Sequence, residues 1–128
     1  KEEKPLAVFR IKKGSIRQSF CIPCNKEYQK EHYQTNKDIY LIKAKNQRNK
    51  MAKYLQDLKE AATCADCGIS YPYYVMDFDH LTDKAFNLGR EGRYKGLDTL
   101  KKELDKCEIV CSNCHRARTH FRQNGAIV

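Results

Sequence analysis

Apolar and polar positions change their period several times along the chain. Val8, Phe9 and Ile11 form a short apolar stretch, Lys13-Gly14-Ser15 reads as a turn, and Ile16 to Phe20 reads as a returning strand. Residues 25–62 contain neither Gly nor Pro and are rich in Lys, Gln, Glu, Ala and Leu, which predicts helix. A break is expected near Thr35-Asn36-Lys37-Asp38, where Asn36 or Asp38 can cap a second helix. Tyr40, Lys43 and Gln47 share one side of it, and Met51, Leu55 and Leu58 make a modest apolar stripe later. Lys43, Lys45, Arg48, Lys50 and Lys53 are scattered around the helix. That distribution suits a mostly solvated bridge that also touches a charged partner.

From Thr63 onward the pattern becomes mixed. Tyr74 to His80 reads as a strand, 81–96 as a polar loop with three glycines, and Leu97 to Lys106 as a short helix with Leu97, Leu100 and Leu104 on one side. Glu108-Ile109-Val110 reads as a second strand, followed by a helix from His115 to about Gln123 that Asn124-Gly125 ends. The order implies an α+β fold in three parts: a hairpin over 1–24, a basic helical linker over 25–62 and a carboxy-terminal domain over 63–128.

Composition sharpens this. Mean hydropathy is −0.80, so material for an apolar core is thin, and no apolar run is long enough to span a membrane. No apolar segment of signal-peptide type opens the chain. Seven cysteines are present, and six of them form three C-x-x-C pairs: Cys21/Cys24, Cys64/Cys67 and Cys111/Cys114. Two thiolates at this spacing reach one tetrahedral ion, so the pairs point to zinc rather than disulfides, and hence to a reducing, cytoplasmic setting. Cys64, Cys67, Cys111 and Cys114 are expected to close one structural zinc site, with Gly68 able to take the left-handed conformation that turns both sulfurs inward. Four sulfurs leave no open position, so this zinc is structural rather than catalytic. Cys107 reads as a small buried residue. Cys21 and Cys24 lack two partners.

The net charge is +9, yet 63–79 is acidic through Asp66, Asp77 and Asp79. A basic body with an acidic pocket fits a metal-dependent enzyme acting on a polyanion. The pocket's sequence is Phe78-Asp79-His80 at a strand end, followed after the last knuckle by Cys111-Ser112-Asn113-Cys114-His115-Arg116-Ala117-Arg118-Thr119. With Cys64-x-x-Cys67, this arrangement resembles the HNH (ββα-metal, or His-Me finger) endonucleases, in particular zinc-clamped phage and bacterial members. The likeness covers about residues 63–122.

The resemblance implies that Asp79 and His115 hold one divalent cation, Mg²⁺ or Mn²⁺, and that His80 is the general base. The substrate would be double-stranded DNA, cut to 5′-phosphate and 3′-hydroxyl ends in a prokaryotic or phage-infected cell, by a monomer or a homodimer. Asp79 and His80, adjacent on a strand, should diverge, which suits base and cation on opposite sides of an in-line attack. His115, Arg118, Thr119 and Arg122 share a helix face, and Ala117 and Phe121 another that can pack on the strands. Lys84, Arg116, Arg118 and Arg122 are expected on phosphates, with Lys43 and Arg48 adding grip from the linker. His115 as a zinc ligand and His120 as a further cation ligand are alternatives, while His32 reads as solvated.

The middle Asn of the H-N-H pattern is missing, its place held by Lys106-Cys107. Support for the base must come from elsewhere, with the loop backbone near Asn87 as the candidate. The segment ending Cys21-Ile22-Pro23-Cys24 is similar to the second half of a zinc finger that often precedes such domains, which implies a further C-x-x-C upstream. A three-ligand site with His32 is the weaker alternative. A zinc-containing DNA-binding protein without catalysis is the rival from another class; a zinc module for protein partners is a further rival, disfavoured by the charge.

Overall fold

The computed structural model describes residues 3–125. It divides into two compact units, one running to Ala44 and the other from Lys45 onward. The boundary falls inside the helical stretch rather than at either end of it.

In the first unit, a single helical turn at Leu6–Val8 leads into β1 (Ile11–Lys13) and β2 (Ile16–Arg17), an antiparallel pair joined at Gly14-Ser15. Helix α1 (Ile22–Thr35) follows, with Cys21 at its N-cap and Pro23 in its first turn, where the missing N–H has no helical partner to lose. It stops where expected. Asn36 donates from its side chain (2.8 Å) and its backbone N–H (3.1 Å) to the His32 carbonyl, closing the helix before α2 (Lys37–Glu60) begins. Cys21 is the one buried residue among those described in this unit.

The second unit has two small cores. In the first, Met51 and Leu55 from the later half of α2 pack with Leu88 and Leu100, flanked by Phe78, Phe86 and Cys107. That half of the helix is therefore core structure and not a solvated bridge, and the Met51/Leu55 stripe is the reason. The region 81–96 is also more ordered than a polar loop. It holds α3 (Leu88–Glu91), capped by the Asn87 side chain, and a helical turn at Gly92–Tyr94. Gly92 sits where a Cβ would come within 3.0 Å of Leu100 and 3.2 Å of Leu55, so a larger residue would have to push the ends of those two side chains aside.

The second core joins Cys64, Met76, Val110 and Cys111. Strands β3 (Met76–His80) and β4 (Cys107–Cys111) pair antiparallel, with Asp79 opposite Glu108 and His80 opposite Cys107. Between them in sequence lies α4 (Leu97–Leu104), and β4 runs directly into α5 (Ser112–Asn124). The result is an α+β arrangement of helices and two small sheets. No described helix is long and apolar enough to cross a membrane.

Candidate functional site

The two knuckles of the second unit converge. The ligand atoms of Cys64, Cys67, Cys111 and Cys114 all lie within 4.8 Å of one another, a group that can hold a metal ion. Local backbone explains the geometry: Gly68 takes φ +70° and closes the first turn onto the Cys64 carbonyl, while Cys111 caps α5 and its sulfur accepts the Cys114 N–H. The Cys111 N–H in turn donates to the Cys64 sulfur at 3.2 Å. Burial opposes charge on Cys64, but the N–H groups of Cys67, Cys111 and Asp66 outweigh it and bring the thiol down to about 6. Cys114 goes the other way, pushed up to about 12, first by its contact with Cys111 and then by burial. Four crowded sulfurs resist full deprotonation by themselves, and a divalent cation is what removes that conflict. His115 faces the strands' carboxylates rather than joining this group.

One face of β3 carries Asp77 and Asp79 toward α5, as strand alternation requires. The His115 ring stands between them, with Nδ1 at 3.1 Å from Asp77 and Nε2 at 3.5 Å from Asp79. Asp79 is only 2% exposed, and both its oxygens accept from Arg122 (2.7 Å each), with Arg118 adding a bond at 2.9 Å. Arg122 chiefly, against burial and together with Arg118, holds the Asp79 carboxyl down at about 2. Arg118 also pairs with Asp66, in the first cysteine knuckle, and with Glu108 on β4. Arg118 and Arg122 therefore lie on carboxylates in this structure.

The same contacts correct the orientation expected for α5. Ala117 and Phe121 are exposed, and the helix turns its polar face, with His115, Arg118 and Arg122, to the strands. The cause is electrostatic. Asp77, Asp79 and Glu108 make that side of the strand pair anionic, and two arginines and a histidine neutralise it better than an alanine and a phenylalanine could.

His80 faces the opposite way, toward α4. Its Nε2 lies 3.0 Å from Oε1 of Glu103, which is 2% exposed. The same oxygen accepts the N–H groups of Ala85 (2.7 Å) and Phe86 (3.4 Å), and the second oxygen accepts from Lys106 at 3.0 Å. Burial alone would raise this carboxyl, but Lys106, the two N–H groups and His80 bring it to about 2. Glu103 thus straps the loop after β3, at the two backbone N–H groups just before Asn87, and holds the histidine ring. Sequence reasoning missed it. The available signal was its place three residues after Leu100, on the buried side of α4.

Asp79, His80 and His115 line one cleft of about 350 Å³, together with Lys84, Arg122 and Lys59. Lys59 was not anticipated either; burial lowers its amine, which stands 5.1 Å over the Phe78 ring. Arg116 and His120 line a neighbouring hollow with Asp77 and His115. Arg48 lies over the Tyr94 ring at 5.8 Å, and Lys43 is exposed on α2. Cys107 donates to the Glu103 carbonyl, its thiol raised to about 11 by burial first. In the first unit, Cys21 and Cys24 sit at the start of α1 with the Lys4 amine 3.7 Å and 4.0 Å from their sulfurs. His32 is within 3.3 Å of the Tyr40 hydroxyl.

Compared with family models, with curated proteins and with solved structures, the chain matches none.

Proposed function

We propose that the second unit is an HNH-type, divalent-metal-dependent endonuclease domain acting on DNA, pinned by a structural zinc on its four cysteines. The observation that carries this reading is the gathering of Asp79, His115 and His80 around one cleft, with lysines at its rim.

The donor set fits a divalent cation. A histidine that donates Nδ1–H to Asp77 presents its Nε2 lone pair toward Asp79, the carboxylate–histidine pairing typical of metal ligands. One carboxylate and one imidazole leave room for the water and phosphate oxygens that Mg²⁺ or Mn²⁺ prefers. When bound, such an ion supplies positive charge at the phosphate and at the departing 3′ oxygen. Asp79 must then exchange guanidinium for cation, and Arg122, whose side chain is 48% exposed, is the one able to swing onto a phosphate.

The chain's own residues supply the proton transfer. His80 donates Nε2–H to Glu103, which fixes the tautomer and leaves the Nδ1 lone pair to take a proton from attacking water. Glu103 is a positioning residue here, in the role left open by the missing Asn. Lys84 and Lys59 line the cleft where a phosphate would enter.

The test is plasmid digestion with Mg²⁺ or Mn²⁺, with and without EDTA. His80→Ala should cut roughly 10²–10⁴-fold more slowly while retaining zinc and DNA. Equal cutting by His80→Ala, or none by the intact chain, overturns the proposal. The occupation of both Asp79 oxygens by arginine favours a second reading, a non-catalytic DNA-binding module in which Asp79 is a buried ion-pair partner. The same digestion separates the two.

A further inference from the structure

The first unit buries almost nothing, yet it displays a run of aromatic rings. Phe20 and Tyr28 lie near-parallel, 12° apart in plane with centroids at 6.2 Å. Tyr28 continues to His32 at 5.9 Å, His32 to Tyr40 at 6.1 Å, and Tyr40 to Tyr33 at 5.7 Å. Phe20 and Tyr28 are each 58% exposed, Tyr33 43% and Tyr40 42%. Rings held in line at this exposure are not core residues. Their relative placement is preset, and each ring is partly open to solvent.

Charge around the run is sorted. One hollow, of about 330 Å³, is lined by Tyr28, His32, Tyr33 and Tyr40 and shares Gln29 with a second of about 500 Å³. The second carries Lys12 and Arg17 beside Phe20. Neither contains a carboxylate. Glu27 and Glu31, the acidic residues of α1, line a different hollow with Lys30 and Gln34. Cations next to stacked rings, with acids kept apart, match a backbone of phosphates whose bases lie flat on aromatic faces. A duplex hides its base faces, so the complement is an unpaired strand. An apolar protein partner would have no use for the Lys12/Arg17 side.

We infer that the Phe20–Tyr28–Tyr33–Tyr40 face binds unpaired nucleic acid, with Lys12 and Arg17 taking phosphates and the rings taking bases. This stands apart from cleavage and depends on no residue of the cleft.

The chain has eight tyrosines and no tryptophan, and three of the tyrosines (Tyr28, Tyr33 and Tyr40) lie on this face, so the part of the tyrosine quenching that Phe20→Ala/Tyr28→Ala removes reports stacking there. Titration with oligo(dT), oligo(U) and a duplex of equal length, over a range of salt, tests the inference. The intact chain should show quenching by the single strands. Phe20→Ala/Tyr28→Ala should weaken single-strand binding at least about fivefold and leave duplex binding within twofold, while Tyr28→Phe should bind as the intact chain. Preference for oligo(dT) over oligo(U) assigns the face to DNA, and equal binding assigns it to unpaired strands of either sugar. Equal losses on single strand and duplex, no loss at all, or a concentration-dependent dimer that the double substitution abolishes, overturns the inference. Circular dichroism of the variants checks that α1 is intact.

Discussion

The two units solve the same problem of too little apolar material in opposite ways. The first leaves Ile11, Ile16, Phe20 and Tyr28 more than half exposed and buries only Cys21 among its described residues. The second concentrates its few large residues in two clusters and fills the remaining interior with sulfur and paired charge: Cys64 and Cys111 of the four-cysteine group, Asp79 under two arginines, and Glu103 under four donors. A chain poor in leucine and phenylalanine can hold one shape if its buried polar groups are fully matched. No buried side-chain nitrogen or oxygen among the described residues lacks a hydrogen-bond partner. The cost is dependence on those matches, and only the second unit carries it.

The contrast can be broken most forcefully at the four cysteines, by denying that group a metal ion. Chelation, or Cys111→Ser, should remove stabilisation on the order of 10 kcal/mol from the second unit. Amide exchange along β3, β4 and α5 should then rise to unprotected rates while α1 changes little. A uniform response of both units would show that the four sulfurs do not set the difference.

A smaller effect comes from Glu103→Gln. The variant should lose about 1.5–3 kcal/mol at neutral pH, since the carboxylate's charge-assisted bonds weaken. The sign with pH follows from the lowered carboxyl. Its ordinary value is 4.5 and it stands at about 2 in the fold, so its stabilising effect is complete above 4.5 and is lost as pH falls toward 2. Urea unfolding across that window should give a shallower pH slope for the variant than for the intact chain. Smallest of all is Lys53→Ala. It breaks an exposed pair with Asp57 at 2.8 Å on α2, and the midpoint of thermal unfolding should not move measurably.

Where geometry follows from local spacing, the sequence is informative. C-x-x-C on a tight turn brings its two sulfurs side by side, and the Asn36 break and the strand ending at His80 both lie near short-range signals. What stays hidden is which distant charges meet. Arg118 and Asp79 are 39 positions apart and Arg122 and Asp79 are 43, and an exposed-looking arginine face on a helix gives no sign that carboxylates await it. Glu103 is hidden for the same reason, because its donors lie up to 23 positions away and two of them are backbone N–H groups that any residue could offer. Asp77 was more accessible. Strand alternation puts it on the same side as Asp79, so a contact with His115 follows once that histidine is placed.

Arg118 joins two parts of the second unit mechanically. Its flat, stiff guanidinium spans Asp66, between the first pair of sulfurs, and Asp79, at the floor of the cleft. The knuckle and the cleft are therefore linked as two ends of a lever: a shift of the loop at Asp66 pulls on the same group that neutralises Asp79, and a change of partner at Asp79 slackens the loop in return.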